Sequence, residues 1–179
     1  MREPLAAPDA TRALATLSAA DRTRYATSSR PGSFLAGRLL LHDLAAELGA
    51  GTDLVALCPD CGGPHGKPSL VDSDLELSLS HGAGVVVAAA FWGAAVGVDI
   101  EGAPDEAALA AIGVVAGEAT LERWTRVEAV LKADGRGLRV DPRRVSFEGD
   151  TAELDGTRYR LSEHNLAPGV RVSVAVAAL

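Results

Sequence analysis

Residues 82–98 form an uncharged run of 17 residues that ends abruptly in Asp99-Ile100-Glu101. A stretch this apolar has to leave water, and the question is into what. It falls slightly short of the roughly 20 residues that cross a bilayer as a helix. Glycines at 82, 84, 93 and 97 also interrupt it. The Val- and Ala-rich segments 85–91 and 94–98 therefore read as two buried strands joined by a turn at Trp92-Gly93, inside a water-soluble domain.

The rest of the chain suits that reading. Of 179 residues, 47% are apolar and 23% charged, as in globular proteins, while aromatics reach only 4%. Leu, Val and Ala must therefore fill the core. A net charge of −7 disfavours a general nucleic-acid or anionic-membrane binder. Two cysteines are too few for a disulfide scaffold, and the first fifteen residues mix Arg, Glu, Asp and Pro rather than forming a secretion signal. A cytoplasmic protein is expected.

Residues 1–30 read as loosely packed or partly helical. A helix follows, with Ser33 as N-cap, apolar positions at Phe34, Leu35, Leu39, Leu41, Leu44, Ala45 and Leu48, and Gly49 as its stop. Arg38 and His42, four apart, share one face of it, which by itself reads as a solvated polar stripe. A turn-rich connector spans 58–69, and 75–80 alternates as a strand. A short helix is expected over 104–112, with Asp105 and Glu106 at its N-terminus, and a longer one over 121–133, ending at Asp134-Gly135. Short strands at 145–147, 151–154, 159–161 and 170–176 follow, with turns at 148–150 and 155–156. The order fits an α+β chain of two similar halves, 1–95 and 96–179, packed as one unit.

The chemistry-bearing residues lie along this frame. Two residues apart on a strand, Asp99 and Glu101 point to the same face at the end of an apolar segment. They are either solvated where the strand leaves the core or neutralised by a hard divalent cation, which takes oxygen ligands. Glu128 and Lys132 have the spacing of an ordinary helix-surface pair, yet Trp124 lies on the same stripe and argues for a partly buried face. Cys58-Pro59-Asp60-Cys61-Gly62-Gly63-Pro64-His65 resembles half a zinc knuckle, but a structural zinc site uses four ligands and no second Cys pair exists. A plain turn with free thiols is the reading there. Ser80 next to His81 makes no hydrolase triad, and no Gly-x-Ser-x-Gly, Walker loop or Gly-x-Gly-x-x-Gly is present.

In order, Gly66-Lys67-Pro68, Ser78-Leu79-Ser80-His81, Gly97-Val98-Asp99-Ile100-Glu101 and Trp124-x-x-x-Glu128-Ala129-x-x-Lys132-Ala133-x-Gly135-x-Gly137-Leu138 resemble the 4′-phosphopantetheinyl transferases. The likeness is to their larger, two-half, surfactin-synthetase-activating type and covers roughly residues 30–150. It implies a pseudo-dimeric fold in which each half packs a small antiparallel sheet on a long helix. It also implies transfer of the phosphopantetheine arm of coenzyme A to a serine of an apo acyl or peptidyl carrier protein, with release of 3′,5′-ADP, by a monomeric enzyme. Asp99, Glu101 and Glu128 would hold Mg²⁺, or Mn²⁺, against the coenzyme A pyrophosphate. Lys132 would offset charge on the attacked phosphate, and Glu118 would match an upstream glutamate that acts as base. Lys67, Ser80, His81, Arg38 and His42 would hold the nucleotide end.

Three departures accompany the likeness. Val127 stands in place of a lysine, which removes a cation near the pyrophosphate, and His42 in place of an arginine, leaving the 3′-phosphate to Arg38 or Arg30. Only 22 residues separate Glu101 from Trp124, a short connection for such a chain. The alternatives are a degenerate relative that binds coenzyme A or a carrier without turnover, and a zinc-stabilised interaction domain built on Cys58 and Cys61.

Overall fold

A computed structural model describes residues 7–178. Three helices open it: α1 (Ala7–Thr16), α2 (Ala19–Thr27) and α3 (Pro31–Glu47). The segment expected to be loose or partly helical is thus largely helical from residue 7 onward, and residues 1–6 lie outside the described residues. The Ser18 hydroxyl caps α2 by accepting the Asp21 N–H, and Ala13 and Leu17 are buried against Leu35 and Leu39 of α3. α3 starts before Ser33. Pro31, whose fixed φ suits a first helical turn, sets the start, and Arg30 precedes it without a side-chain cap. Gly49, at φ +73°, stops the helix as expected.

β1 (Leu54–Val55) and β2 (Ser69–Leu70) close the base of the connector as an antiparallel pair. β3 (Leu75–Gly82) and β4 (Val85–Trp92) then form a hairpin in which Leu75 faces Trp92 and Gly82 faces Val85. Ala83 and Gly84, both at positive φ, make its turn, the geometry that suits the twist of a two-residue hairpin loop.

The 82–98 run is therefore split differently from the sequence expectation. Trp92 is still in β4, Gly93 turns the chain away, and β5 (Val96–Glu101) does not pair with β4. Nor is β4 fully buried. It is a sheet edge, with Ala88 and Ala90 towards α3, Val87 and Ala89 towards β5, and both ends exposed. β5 is buried from Val96 to Ile100.

α4 (Glu106–Ala116) begins after its Asp105 cap, two residues later than expected, and continues past Ile112 to Ala116, with Gly117 as its C-cap. α5 (Leu121–Asp134) is capped by Thr120 and ended by Gly135 at φ +85°. β6 (Ser146–Glu148), β7 (Thr151–Leu154), β8 (Thr157–Ala167) and β9 (Val170–Ala177) complete an antiparallel sheet in the order β5-β9-β8-β7-β6. Val127, Ala129, Val130, Leu131 and Ala133 of α5 pack on Ala152, Leu154, Tyr159, Leu161 and Ala175 of that sheet. Val127 is fully enclosed. It is core, and a lysine there would bring a charge into an apolar interior.

The molecule is α+β, one helix over a hairpin and another over a five-stranded sheet. Among the described residues no helix is long and apolar enough to cross a membrane. β3 lies alongside the free edge of β5 without a backbone ladder. In its place the Ser78 and Ser80 hydroxyls accept the Val98 and Ile100 N–H groups at 3.0 and 3.4 Å.

Gly97 sets the height of α5 above β5. A Cβ at this position would lie 1.9 Å from the Ala129 carbonyl oxygen and 2.4 Å from the Ala133 nitrogen, both backbone atoms that cannot rotate away. Gly97→Ala is expected to destabilise the chain by about 3 kcal/mol or more, read as a fall in the urea midpoint. An unchanged midpoint would show that α5 does not ride directly on β5.

Candidate functional site

Asp99 projects from β5 into the seam between the two sheets and is only 2% exposed. Lys132, in the last turn of α5, reaches it at 2.5 Å. Ser80 donates to the same Asp99 oxygen at 2.9 Å and accepts from Lys132 at 2.8 Å. The other carboxylate oxygen, Oδ2, is buried and has no hydrogen-bond partner among the described residues. A buried carboxylate oxygen without a donor is costly, and a donor or a cation would relieve that cost.

Glu101 and Glu128 flank this pair. Burial lifts the Glu101 carboxyl above the usual carboxylate range, Asp99 adds to the rise, and the Trp124 indole N–H and Lys132 oppose it. Glu128 is lifted in the same way, first by burial, with Lys132 opposing and Asp99 and Glu101 reinforcing. Trp124, Glu128 and Lys132 do form one half-buried stripe, as the spacing predicted. Three carboxylates against one ammonium leave two negative charges, which suits a divalent ion. Their carboxylate oxygens are not all within 4.8 Å of one another, whereas the sulfur and nitrogen donors of Cys58, Cys61 and His65 are. Mg²⁺ tolerates that spacing, because it keeps several waters and takes only one or two carboxylates directly.

The next residue on β3 serves a second feature. Ser80 and His81 alternate across the strand, and His81 is exposed in the wall of a cavity of about 440 Å³ that Arg24, Arg30, Phe34 and Arg38 also line. Arg38 is not part of a solvated stripe. It is 7% exposed, bonds Asp21 at 2.9 Å and lies 5.0 Å over the Phe34 ring, with Arg24 at 5.4 Å from the same ring. Burial, and then the Arg38 charge, pull the Arg24 proton affinity below the usual arginine range. Three guanidiniums around one cavity, with Asp21 paired to Arg38, concentrate positive charge on an acidic protein. Arg24 was not singled out from sequence, since only the fold of α2 turns it toward Arg30 and Arg38.

Three expected residues are not brought to either feature. Lys67 bonds Glu76 at 2.9 Å and the Ala133 carbonyl at 3.3 Å, capping the C-terminal end of α5. Glu76 is four residues before Ser80, about 13 Å along the strand, so Lys67 does not join His81 in the arginine cavity. His42 does not line that cavity; its Nδ1 is buried without a hydrogen-bond partner and lies 3.8 Å from Asp43. Glu118 is exposed in the turn before α5, where Thr120 donates to it at 3.4 Å and Arg123 faces it. Arg123 is ~100° around the helix from Trp124, so Glu118 sits off the Glu128 stripe.

Beside Glu101 and Trp124, a hollow of about 580 Å³ opens toward α4, lined by Ala103, Ala108, Ile112 and Leu121. No protein-family model and no curated protein sequence matches the chain.

The raised proton affinity of Glu128 has a signed consequence. The folded chain holds this proton to a higher pH than the unfolded chain, so its contribution to stability falls as pH rises through the window above the usual carboxylate range. With divalent ions chelated, Glu128→Gln is expected to raise Tm at neutral pH, and the gain should shrink as pH drops into the ordinary carboxylate range. A lower Tm for the variant at neutral pH would contradict the burial of a destabilising charge.

Proposed function

We propose that the chain transfers the 4′-phosphopantetheine arm of coenzyme A to a serine hydroxyl of an apo acyl or peptidyl carrier protein. The observation that carries this reading is the buried, half-satisfied Asp99 beside Lys132, with Glu101 and Glu128 flanking it at the seam. The arginine cavity supports it from the neighbouring face of β3. Coenzyme A carries a diphosphate and a separate 3′-phosphate, and the chain offers one site suited to each.

Asp99, Glu101 and Glu128 would hold Mg²⁺, or Mn²⁺ in its place, which when bound supplies charge neutralisation at the diphosphate. The residues of the chain do the rest. Arg24, Arg30, Arg38 and His81 hold the 3′-phosphate and so fix the nucleotide end. Lys132 is the cation nearest the reacting phosphate and stabilises the charge that builds on it. The apolar hollow beside Trp124 receives the uncharged pantetheine arm. In the transfer, the carrier serine oxygen bonds to the β-phosphorus and the bond from that phosphorus to the bridging oxygen breaks. The serine proton leaves to a carboxylate or water at the seam, and 3′,5′-ADP departs. The exposed position of Glu118 gives no support to it as the base.

This reading takes the two helix-on-sheet layers as the halves of a pseudo-dimer. Residues 1–95 carry the nucleotide contacts and 96–179 carry the carboxylates and Lys132, in a monomer acting in the cytoplasm.

The test mixes the chain with coenzyme A, Mg²⁺ and an apo carrier, and looks by mass spectrometry for the phosphopantetheine gain on the carrier. Asp99→Ala and Glu128→Ala are each expected to lower the rate by about 100-fold or more while remaining folded. Coenzyme A that binds without any transfer to fatty-acid, polyketide or peptide carriers would overturn the enzyme reading. In the same assay, Arg30→Ala should raise KM for coenzyme A by about tenfold, as loss of one charge-assisted contact does, and leave KM for 3′-dephospho-coenzyme A unchanged. Equal effects on both substrates would remove the 3′-phosphate from the arginine cavity.

A further inference from the structure

The connector between β1 and β2 carries a second cluster that the transfer reading does not use. Its backbone folds tightly on itself. The Cys58 N–H donates to the Gly63 carbonyl at 2.8 Å, the Gly62 N–H to the Cys58 carbonyl at 2.9 Å, and the Gly66 N–H to the Ala56 carbonyl at 2.7 Å. Gly62 closes the loop at φ +69°, a conformation that favours glycine. Gly66 has no room for a side chain, since a Cβ would lie 2.1 Å from the Leu57 carbonyl oxygen.

This fold aims three donor side chains at one point. Cys61 Sγ lies 3.0 Å from His65 Nε2, and the donor atoms of Cys58, Cys61 and His65 are all within 4.8 Å of one another. The two thiols are free rather than disulfide-bonded. Backbone amides attend both sulfurs: those of Asp60 and Cys61 are directed at Cys58, and the Gly63 N–H donates to Cys61 Sγ at 3.4 Å.

We propose that Cys58, Cys61 and His65 hold a zinc ion, with solvent in the fourth position. Bonds of about 2.3 Å to sulfur and 2.0–2.1 Å to nitrogen give donor-to-donor edges of roughly 3.5–3.8 Å in a tetrahedron, so the three atoms need adjustments of about an ångström. Two thiolates and an imidazole select zinc over the hard cations that carboxylates prefer. The fourth position is open to water because Cys61 and His65 are exposed.

The ion would stiffen the connector where it crosses to the end of α5. Asp60, inside the loop, pairs with Arg139, and Arg139 also donates to the Gly135 carbonyl at 3.2 Å. Lys67, directly after the loop, holds the Ala133 carbonyl. This site is separate from the carboxylate seam and does not depend on the transfer reading.

The test loads the reduced, full chain with zinc alone, removes free metal by desalting and measures bound zinc by elemental analysis. About one zinc per chain is expected for the natural sequence, and Cys61→Ser and His65→Ala should each retain below about a tenth of that. Both residues are exposed, so their loss leaves the core intact, and circular dichroism checks the fold. Asp99→Asn should keep the full zinc content, which separates this site from the seam. Cobalt in place of zinc should give thiolate charge-transfer absorption in the natural sequence and not in Cys61→Ser. No retained zinc in the reduced natural chain, or equal retention in Cys61→Ser, overturns the proposal.

Discussion

Two serine hydroxyls join the β3–β4 hairpin to the five-stranded sheet. β5 is paired with β9 along one edge, while its other edge presents the Val98 and Ile100 N–H groups to a dry interior. Each would cost about 1–3 kcal/mol if left without an acceptor. Ser78 and Ser80 supply the acceptors from β3 without requiring the two strands to form a ladder. Ser80 is then fully committed, because the same oxygen accepts from Lys132 and donates its proton to Asp99. The seam that joins the sheets is thereby also what fixes a carboxylate in a buried, charged cluster.

Tight helix-on-strand packing makes the geometry definite. Gly97 lets α5 settle onto β5, and that contact brings Lys132 to Asp99 and Glu128 alongside them. On the neighbouring face of the same β3 end, the α2–α3 corner gathers Arg24, Arg30 and Arg38. An overall charge of −7 hides this arrangement, since the arginines are spread over 15 positions in sequence and only the fold concentrates them. Negative and positive features separated by one strand residue suit a ligand with two phosphate-bearing parts.

Much of this was legible in the chain, and for identifiable reasons. Apolar periodicity and a glycine stop located α5, two-residue alternation located β3, and the Asp155-Gly156 turn separated β7 from β8. The carboxylate pair on β5 and the Trp124-Glu128-Lys132 stripe followed from strand and helix periods alone. Partner choice did not. Nothing in the Val- and Ala-rich run distinguishes a strand that pairs backwards with β3 from one that pairs forwards, and β4 took the former. Val127 lies one residue before Glu128, yet one step around a helix is the difference between the seam and the core. Lys67 and His42 are polar residues whose partners come from other elements, and Glu118 occupies a turn whose direction no period encodes. The knuckle spacing of Cys58 and Cys61 was visible, but the approach of His65 depended on how the loop closes.

The central claim is that the seam holds a divalent ion against the diphosphate of coenzyme A. Calorimetric titration of coenzyme A into the chain, once with Mg²⁺ and once with a chelator, measures this most directly. The account predicts binding about tenfold or more tighter with Mg²⁺, a difference of ~1.4 kcal/mol, that disappears in Asp99→Asn. Equal affinity with and without the ion in the natural sequence would contradict it.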